Sequence, residues 1–350
     1  MSERPDQGSA WALAGPVAAR VAGTYPLVET YHGIRLRETL PGIVHEAADL
    51  VAAETKLSTP GQPDVLVVSR RQWAERNLAT FAHLLEPLES KLLERLEEHG
   101  GAPSGIARRI VALETGALLG FLARRVLGQY ELVLPTGDQG DVVALVGANV
   151  LALERQQQFT PHEFRLWIAL HEATHRAQFV GVPWLRQYFL SLVTELVGAA
   201  APSPGRLARL VAEAVEANRE GRPLIDETGI LGLIASPEQR QSLDRVQALM
   251  SLLEGHGHVV MDRIGHRVLK TQSRMSSILK ARRNDPKTQA FFRLTGLEMK
   301  IRQYEIGERF IQAVEKEAGW GALDRAWQGP EWLPTLSEIE QPSRWLERAA

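Results

Sequence analysis

The chain contains no cysteine among its 350 residues. This absence excludes a disulfide scaffold, thiolate metal ligands and a cysteine nucleophile. A surplus of charge of one sign is also missing, because 40 lysines and arginines are balanced by 42 aspartates and glutamates, for a net charge of −2. The sequence therefore gives no electrostatic reason to expect nucleic acid or an anionic membrane surface as a partner.

Long hydrophobic runs are absent as well. No stretch approaches the roughly 18 uninterrupted apolar residues that a membrane-spanning helix requires. The first 21 residues are acidic and polar before a short Ala/Val run, so they lack the basic and apolar regions of a signal peptide. We therefore expect a cytoplasmic protein without a membrane partner. Its 44% hydrophobic and 23% charged residues are typical of a globular chain with one large core or two lobes.

Turning to what is present, the hydrophobic pattern changes along the chain. Short apolar runs predict strands at 63–69, 130–135, 141–147 and 149–155, the first of them buried. Helical periodicity precedes and interrupts these runs, and it dominates after residue 160, where proline and glycine clusters separate the helices. This pattern predicts a predominantly helical α+β fold, with a small sheet before residue 160 and a helical C-terminal half.

Three segments follow from this pattern. We expect an N-terminal helical segment over residues 1–60, a sheet-containing lobe over 61–181 and a helical lobe over 182–350. The second and third segments are expected to act together as one continuous catalytic unit.

One predicted helix, whose residues 166–183 are LWIALHEATHRAQFVGVP, carries two histidines four residues apart. Thr160 suits its N-cap and Pro161 its first helical position, while Glu163 completes the pattern of a capping box. Gly181 is suited to the end of the helix. These signals predict one well-delimited helix around the motif HEATH.

The spacing in HEATH is typical of a metal site. At 3.6 residues per turn, His171 and His175 lie about 40° apart on one helix face, so both imidazoles can reach one ion. Two imidazoles and a third protein ligand can hold Zn²⁺, which lowers the pKa of a bound water toward about 7. Glu172, about 100° around the helix, is then the candidate general base. The competing interpretation is an ordinary histidine pair in a core or on a surface.

A third ligand is sought in SLLEGHGHVVMD, residues 251–262, within a helix predicted from Ser236 and Pro237 to about residue 265. Three donors crowd this stretch: Glu254, His256 and His258. Glu254 lies near the apolar stripe, where an uncoordinated carboxylate would be costly. Gly255 and Gly257 each cost roughly 1 kcal/mol inside a helix, which predicts the close approach of another backbone or a ligand. Spacing favours Glu254 but leaves both histidines open.

Four blocks of the sequence together resemble the zincin-like metallopeptidase family: FRLWIALHEATHRAQF, SLLEGHGHVVMD, GLEMKIRQYEIGERFIQAV and RAWQGPEWLPTLSEIEQPSRW. The resemblance extends from about residue 60 to the C-terminus. It implies a zincin-like fold and a zinc enzyme whose motif falls on His171, Glu172 and His175. Its glutamate-containing block falls on Glu254 and favours that residue as third ligand, in a gluzincin-like arrangement.

The resemblance also implies less specific roles. The family is often labelled as associated with coenzyme F420 biosynthesis, but no feature of this sequence would recognise a deazaflavin, and no cofactor besides zinc is expected. His258, one turn beyond Glu254, takes the place of a residue that orients a ligating histidine, where an acidic residue is more usual. Tyr304 and Arg302 are candidate oxyanion stabilisers, against the competing interpretation of ordinary helix packing.

The leading hypothesis is therefore a zinc metallopeptidase acting on a peptide or protein substrate. Zinc held by His171, His175 and Glu254 would activate water, with Glu172 as the general base. The alternative is a zincin-fold scaffold that binds metal or a partner with little or no turnover, because a fold does not guarantee an activity.

Overall fold

The computed structural model describes residues 11–83, 105–134, 139–199, 237–283 and 298–349. The chain forms two compact units. The first comprises Met1–Gly181 and Arg267–Thr271, and the second comprises Val182–His266 and Gln272–Ala350. Within the described ranges, no helix is both long and apolar enough to cross a membrane.

The first unit is built mainly from helices. They are α1 (Trp11–Ala22), α2 (Tyr31–Thr55), α3 (70–83), α4 (Gly105–Ala123), α5 (Gly147–Gln157) and α6 (Pro161–Gly181), with a 3-10 helix at Pro26–Glu29. Local chemistry sets their ends. Helix α2, for example, begins after Thr30, whose hydroxyl accepts a hydrogen bond from the N–H of His32, and ends at Lys56 in the left-handed conformation.

A three-stranded sheet lies in the same unit. Its strands are β1 (Asp64–Val68), β2 (Gly128–Val133) and β3 (Gln139–Val146), in the order β1-β3-β2. Strand β3 is central, parallel to β1 and antiparallel to β2. Its residues 142–146 are all buried, as expected for a strand covered on both faces. The strands predicted at 130–135 and 141–147 are therefore confirmed to within a few residues.

Two predictions about the strands need correction. The strand predicted at 63–69 exists as β1, but it is an edge strand with partly exposed side chains, and Leu66 is 36% exposed. The strand predicted at 149–155 is wrong, because these residues lie in helix α5. Among them, Val150, Leu151, Leu153 and Glu154 are buried at helical spacing, and Asn149 is buried as well. A short apolar run does not distinguish a buried helix from a strand by its hydrophobicity alone.

Two arginines attach α6 to its surroundings. The guanidinium of Arg165 donates to the Glu154 carboxylate on α5 at 2.7 and 3.0 Å. Burial raises the pKa of Glu154, while the arginine opposes this shift. Arg176, 1% exposed, donates to the carboxylate of Asp141 on β3 at 2.8 and 2.9 Å. It also donates to the carbonyls of Pro60 and Gly61. Helix α6 is therefore held to α5, the sheet and the loop before β1.

The described part of the second unit is helical. Its helices are α7 (Leu185–Ala199), α8 (Pro237–Val268), α9 (Gln272–Arg283), α10 (Glu298–Ala318), α11 (Leu336–Glu340) and α12 (Pro342–Ala349), with 3-10 helices at Trp320–Trp327 and Pro330–Trp332. The helix predicted from residues 236 and 237 is confirmed as α8, which ends three residues later than expected. The predicted α+β fold, predominantly helical with a small sheet before α6, is confirmed.

Candidate metal centre

Helix α6 presents the motif HEATH as the sequence predicts. It begins at Pro161, with the N–H of Phe164 bonded to the carbonyl of Thr160, and it ends at Gly181. The carboxylate of Glu163, expected to take part in a capping box, accepts hydrogen bonds from the N–H and the hydroxyl of Thr271 at 2.9 and 2.6 Å. The start of the helix is thus attached to the segment that follows α8.

The two histidines of the motif lie side by side. Their Nε2 atoms are 3.2 Å apart, and their ring planes meet at 81°. The Nδ1 atom of His175 is 3.0 Å from Oε1 of Gln178. Because an amide oxygen only accepts hydrogen bonds, this contact favours a proton on Nδ1, and in the neutral imidazole Nε2 then keeps its lone pair. His175 therefore turns a potential metal donor toward His171.

This spacing fits a zinc ion. Zinc–nitrogen bonds of about 2.05 Å at a tetrahedral angle separate two donor nitrogens by about 3.3 Å. The observed 3.2 Å between the Nε2 atoms of His171 and His175 agrees with that separation. The pair also supplies borderline-soft nitrogen donors, which suit zinc. The histidines of HEATH are thus spaced so that both could bind one ion.

Glu172 is held by the backbone of strand β2. Its side chain is buried, with 6% exposed, and its Oε2 accepts a hydrogen bond from the N–H of Tyr130 at 2.9 Å. A Cβ atom at Gly128 would lie 2.9 Å from both Cγ and Oε1 of Glu172. The carboxylate therefore occupies space that a side chain at position 128 would fill.

Neither this contact nor the contact between Gln178 and His175 was predicted from the sequence. A glycine in a strand is a weak signal of close backbone approach, and Gly128 precedes the predicted strand by two residues. Gln178 follows His175 at the i,i+3 spacing of neighbouring side chains on a helix, which was a usable signal.

The candidate third ligand and its two alternatives lie on α8 in the second unit. Glu254, His256 and His258 are 5%, 2% and 4% exposed. The ring of His256 stacks on Trp320 with centroids 5.7 Å apart, and it meets Trp327 at 5.1 Å with an interplanar angle of 65°. His256 is therefore part of an aromatic cluster within its own unit, an environment typical of a packing residue.

The close approach predicted at Gly255 is confirmed. A Cβ atom there would lie 2.3 Å from the carbonyl carbon of Gly307 on α10, and one at Gly307 would lie 1.9 Å from the carbonyl oxygen of Ser251. Helices α8 and α10 thus cross backbone to backbone, one residue from Glu254. The crossing fixes the position of this part of α8 within the second unit.

Two further candidates fall partly outside the described structure. Tyr304 and Arg302 belong to helix α10, but their side chains lie outside the described residues. Their assignment as oxyanion stabilisers stays a prediction.

Comparison with known proteins gives two matches. A model of a family described as zincin-like metallopeptidase matches residues 10–346. The chain is also similar to a crystal structure of a proposed hydrolase with a novel fold from Chloroflexus aurantiacus, at 31% sequence identity and a TM-score of 0.70. That alignment covers 97% of each chain. The search of curated proteins returned no match.

Proposed function

The chain belongs to the zincin-like metallopeptidase family, and from this premise we propose that it is a zinc-dependent hydrolase of peptide bonds. Membership of the family implies a metal ion, which is typically zinc. The observation that carries the proposal is the pair of Nε2 atoms of His171 and His175, 3.2 Å apart, on the helix that also carries the buried Glu172. The similarity to a proposed hydrolase supports the same class of reaction.

The proposed ligands are His171, His175 and Glu254, each of which offers one ligand atom to an ion. Two imidazoles and one carboxylate form a ligand set known from catalytic zinc sites, which keep a further position for water or substrate. His258, buried on the same helix as Glu254, is proposed to orient a ligand. His256 and His258 are the alternative third ligands, and a substitution of Glu254 that leaves zinc binding intact would favour them.

When bound, zinc supplies Lewis acidity and makes a water molecule more acidic. Glu172 would accept a proton from the attacking water as the water oxygen bonds to the carbonyl carbon, and would transfer that proton to the nitrogen of the scissile bond as the C–N bond breaks. Tyr304 and Arg302 are proposed to donate hydrogen bonds to the carbonyl oxygen as it gains charge. The proposed substrate is a peptide or protein.

The test combines metal analysis with mass-spectrometric detection of cleavage in a peptide library. We expect close to one zinc per chain in the wild type and in Glu172→Gln, with cleavage slowed by about 10²- to 10⁴-fold in the variant. His171→Ala should lose the metal. His162→Ala is the matched control, because His162 lies on the same helix with an exposed side chain near Glu46.

Two outcomes would contradict the proposal in different ways. Zinc binding without cleavage of any peptide by the wild type would favour a metal-binding scaffold over an enzyme. Unchanged zinc content in His171→Ala would show that the ion binds elsewhere.

A further inference from the structure

Among the residues that the structure describes, strand β2 lies at one edge of the sheet and pairs with β3 alone, with Gly128 opposite Leu145 and Tyr130 opposite Val143. The N–H of Val146 donates to the carbonyl of Leu127, one residue before β2. Because hydrogen-bonded and non-hydrogen-bonded pairs alternate in an antiparallel ladder, the N–H and C=O groups of Gly128 and Tyr130 point away from β3.

One of these outward groups is used by Glu172. The N–H of Tyr130 donates to its Oε2 at 2.9 Å. The Tyr130 side chain does not supply this contact, since its hydroxyl donates to the carbonyl of Gly140. The donor is therefore a main-chain group whose direction is set by the pairing of β2 with β3.

Gly128 contributes by having no side chain. Its φ is not positive, so its backbone conformation is accessible to other residues. A Cβ atom there would nevertheless lie 2.9 Å from Cγ and Oε1 of Glu172 and 3.1 Å from Cδ. All three nearest atoms belong to Glu172, so this is the side chain that an alanine at position 128 would displace.

We propose that Gly128 and the N–H of Tyr130 form a seat that positions the carboxylate of Glu172, which makes Gly128 a positioning residue. A glutamate side chain has three rotatable bonds, and a buried carboxylate is stable only where donors are available. The seat limits Glu172 to the rotamer that reaches Tyr130. Its role in catalysis rests on the proposed function, whereas its existence does not.

The seat is tested without any substrate by a double-mutant cycle in thermal unfolding. We expect Gly128→Ala to lower the unfolding temperature by about 3 °C or more when Glu172 is present. In the Glu172→Ala background the same change should have little effect, because the atoms it meets are gone. In the Glu172→Asp background, where the side chain is one methylene shorter, Gly128→Ala should lower the unfolding temperature by an intermediate amount. Gly42→Ala is the control, since a Cβ atom there meets nothing within 4 Å.

An equal loss in both backgrounds would overturn the proposal, because Gly128 would then be required by something other than Glu172. The positioning role has its own readout in the zinc-loaded protein. Gly128→Ala should retain zinc and keep KM within about twofold of the wild-type value, while kcat falls at least tenfold. When Gly128→Ala is added to Glu172→Gln, kcat should not fall further. A loss of zinc, or a change in KM alone, would contradict positioning.

The two proposals fail separately. If the double-mutant cycle shows coupling between positions 128 and 172 but the wild type cleaves no peptide, the seat is supported and the proposed function is contradicted. Cleavage by the wild type without this coupling would leave the function intact and remove the seat.

Discussion

At the scale of single residues, Gln178 contacts His175, which is one of the proposed zinc ligands. Gln178 is fully buried and its Oε1 lies 3.0 Å from Nδ1 of His175, a contact that favours the tautomer with the proton on Nδ1 and orients the ring of the proposed ligand. Without it, the imidazole can rotate or protonate Nε2, and either change competes with binding to an ion.

We expect Gln178→Met to weaken zinc binding by about 10- to 100-fold, because the amide acceptor is lost while the volume is nearly kept. Competition with a chromophoric chelator measures the affinity. Gln156→Met, at an exposed position on α5, is the control. Equal affinities in the two variants would show that Gln178 has no orienting role.

Arg176 leads to a prediction about stability. Its guanidinium is 1% exposed, and Asp141, 39% exposed, is its carboxylate partner. We expect Asp141→Asn to lower the free energy of unfolding by about 1–3 kcal/mol, because a buried charge loses its counter-ion while the carbonyls of Pro60 and Gly61 remain.

Urea unfolding measures this loss. Glu75→Gln breaks the solvent-exposed pair of Arg71 and Glu75, and it should cost about 0–0.5 kcal/mol. If both variants lost the same small free energy of unfolding, the fold would not require the carboxylate of Asp141 beside Arg176.

The motif HEATH could be predicted from the sequence because the relation between its residues is local. His171 and His175 share a face because four residues are slightly more than one helical turn, and Glu172 follows from the same motif. The contact between Glu172 and Tyr130 joins residues 42 positions apart and depends on how β2 is paired. Hydrophobic periodicity carries no information about that register.

At the scale of elements, capping residues predicted the ends of helices correctly, whereas hydrophobicity did not always predict whether a segment is a helix or a strand. Both ends of α6 and the start of α8 were predicted from proline, glycine and cap residues. Residues 149–155 were assigned to the wrong class, because their apolar run follows β3 directly and the turn into α5 begins at Gly147 without a proline or a cluster of polar residues. Length and hydrophobicity alone did not separate the two elements.

The crossing of α8 and α10 gives the prediction at this scale. A methyl group at Gly307 would overlap the carbonyl of Ser251 on α8, so Gly307→Ala should separate the helices and cost about 1–3 kcal/mol of unfolding free energy. If Glu254 is a ligand, the displaced α8 should also bind zinc more weakly.

Calorimetry and chelator competition on the same variant separate these effects. Gly321→Ala, at a position where a Cβ atom meets nothing within 4 Å, is the control and should change neither quantity. A loss of stability with unchanged zinc affinity would argue against Glu254 as the third ligand.

At the scale of the whole molecule, each unit contains a glutamate whose pKa lies below its ordinary value of 4.5. For Glu163 in the first unit, the hydroxyl of Thr271 is the main cause, with its N–H adding to the effect. For Glu338 in the second unit, burial alone would raise the pKa, but hydrogen bonds from Arg348 and Thr335 outweigh it. Both folded forms therefore favour the charged carboxylate.

A carboxyl group whose pKa is lowered by folding stabilises the fold above its unfolded pKa, and this contribution is lost as the pH falls through the folded pKa. We therefore expect the free energy of unfolding to decrease from about pH 5 downward. Glu163→Gln should be less stable than the wild type at pH 7, and the difference should shrink in acid.

Urea unfolding at a series of pH values provides the measurement, with exposed Glu317→Gln as the control. A constant difference between Glu163→Gln and the wild type across this range would show that the charge of Glu163 makes no contribution.

The contact of Glu172 with strand β2 also has a consequence for how related sequences diverge. A main-chain N–H is supplied by every amino acid except proline, so position 130 is free to change its side chain without losing the donor. Position 128 has no such freedom while a glutamate remains at 172. In lineages that have replaced this glutamate by a smaller residue, selection for glycine at 128 should relax, so the two positions should change together.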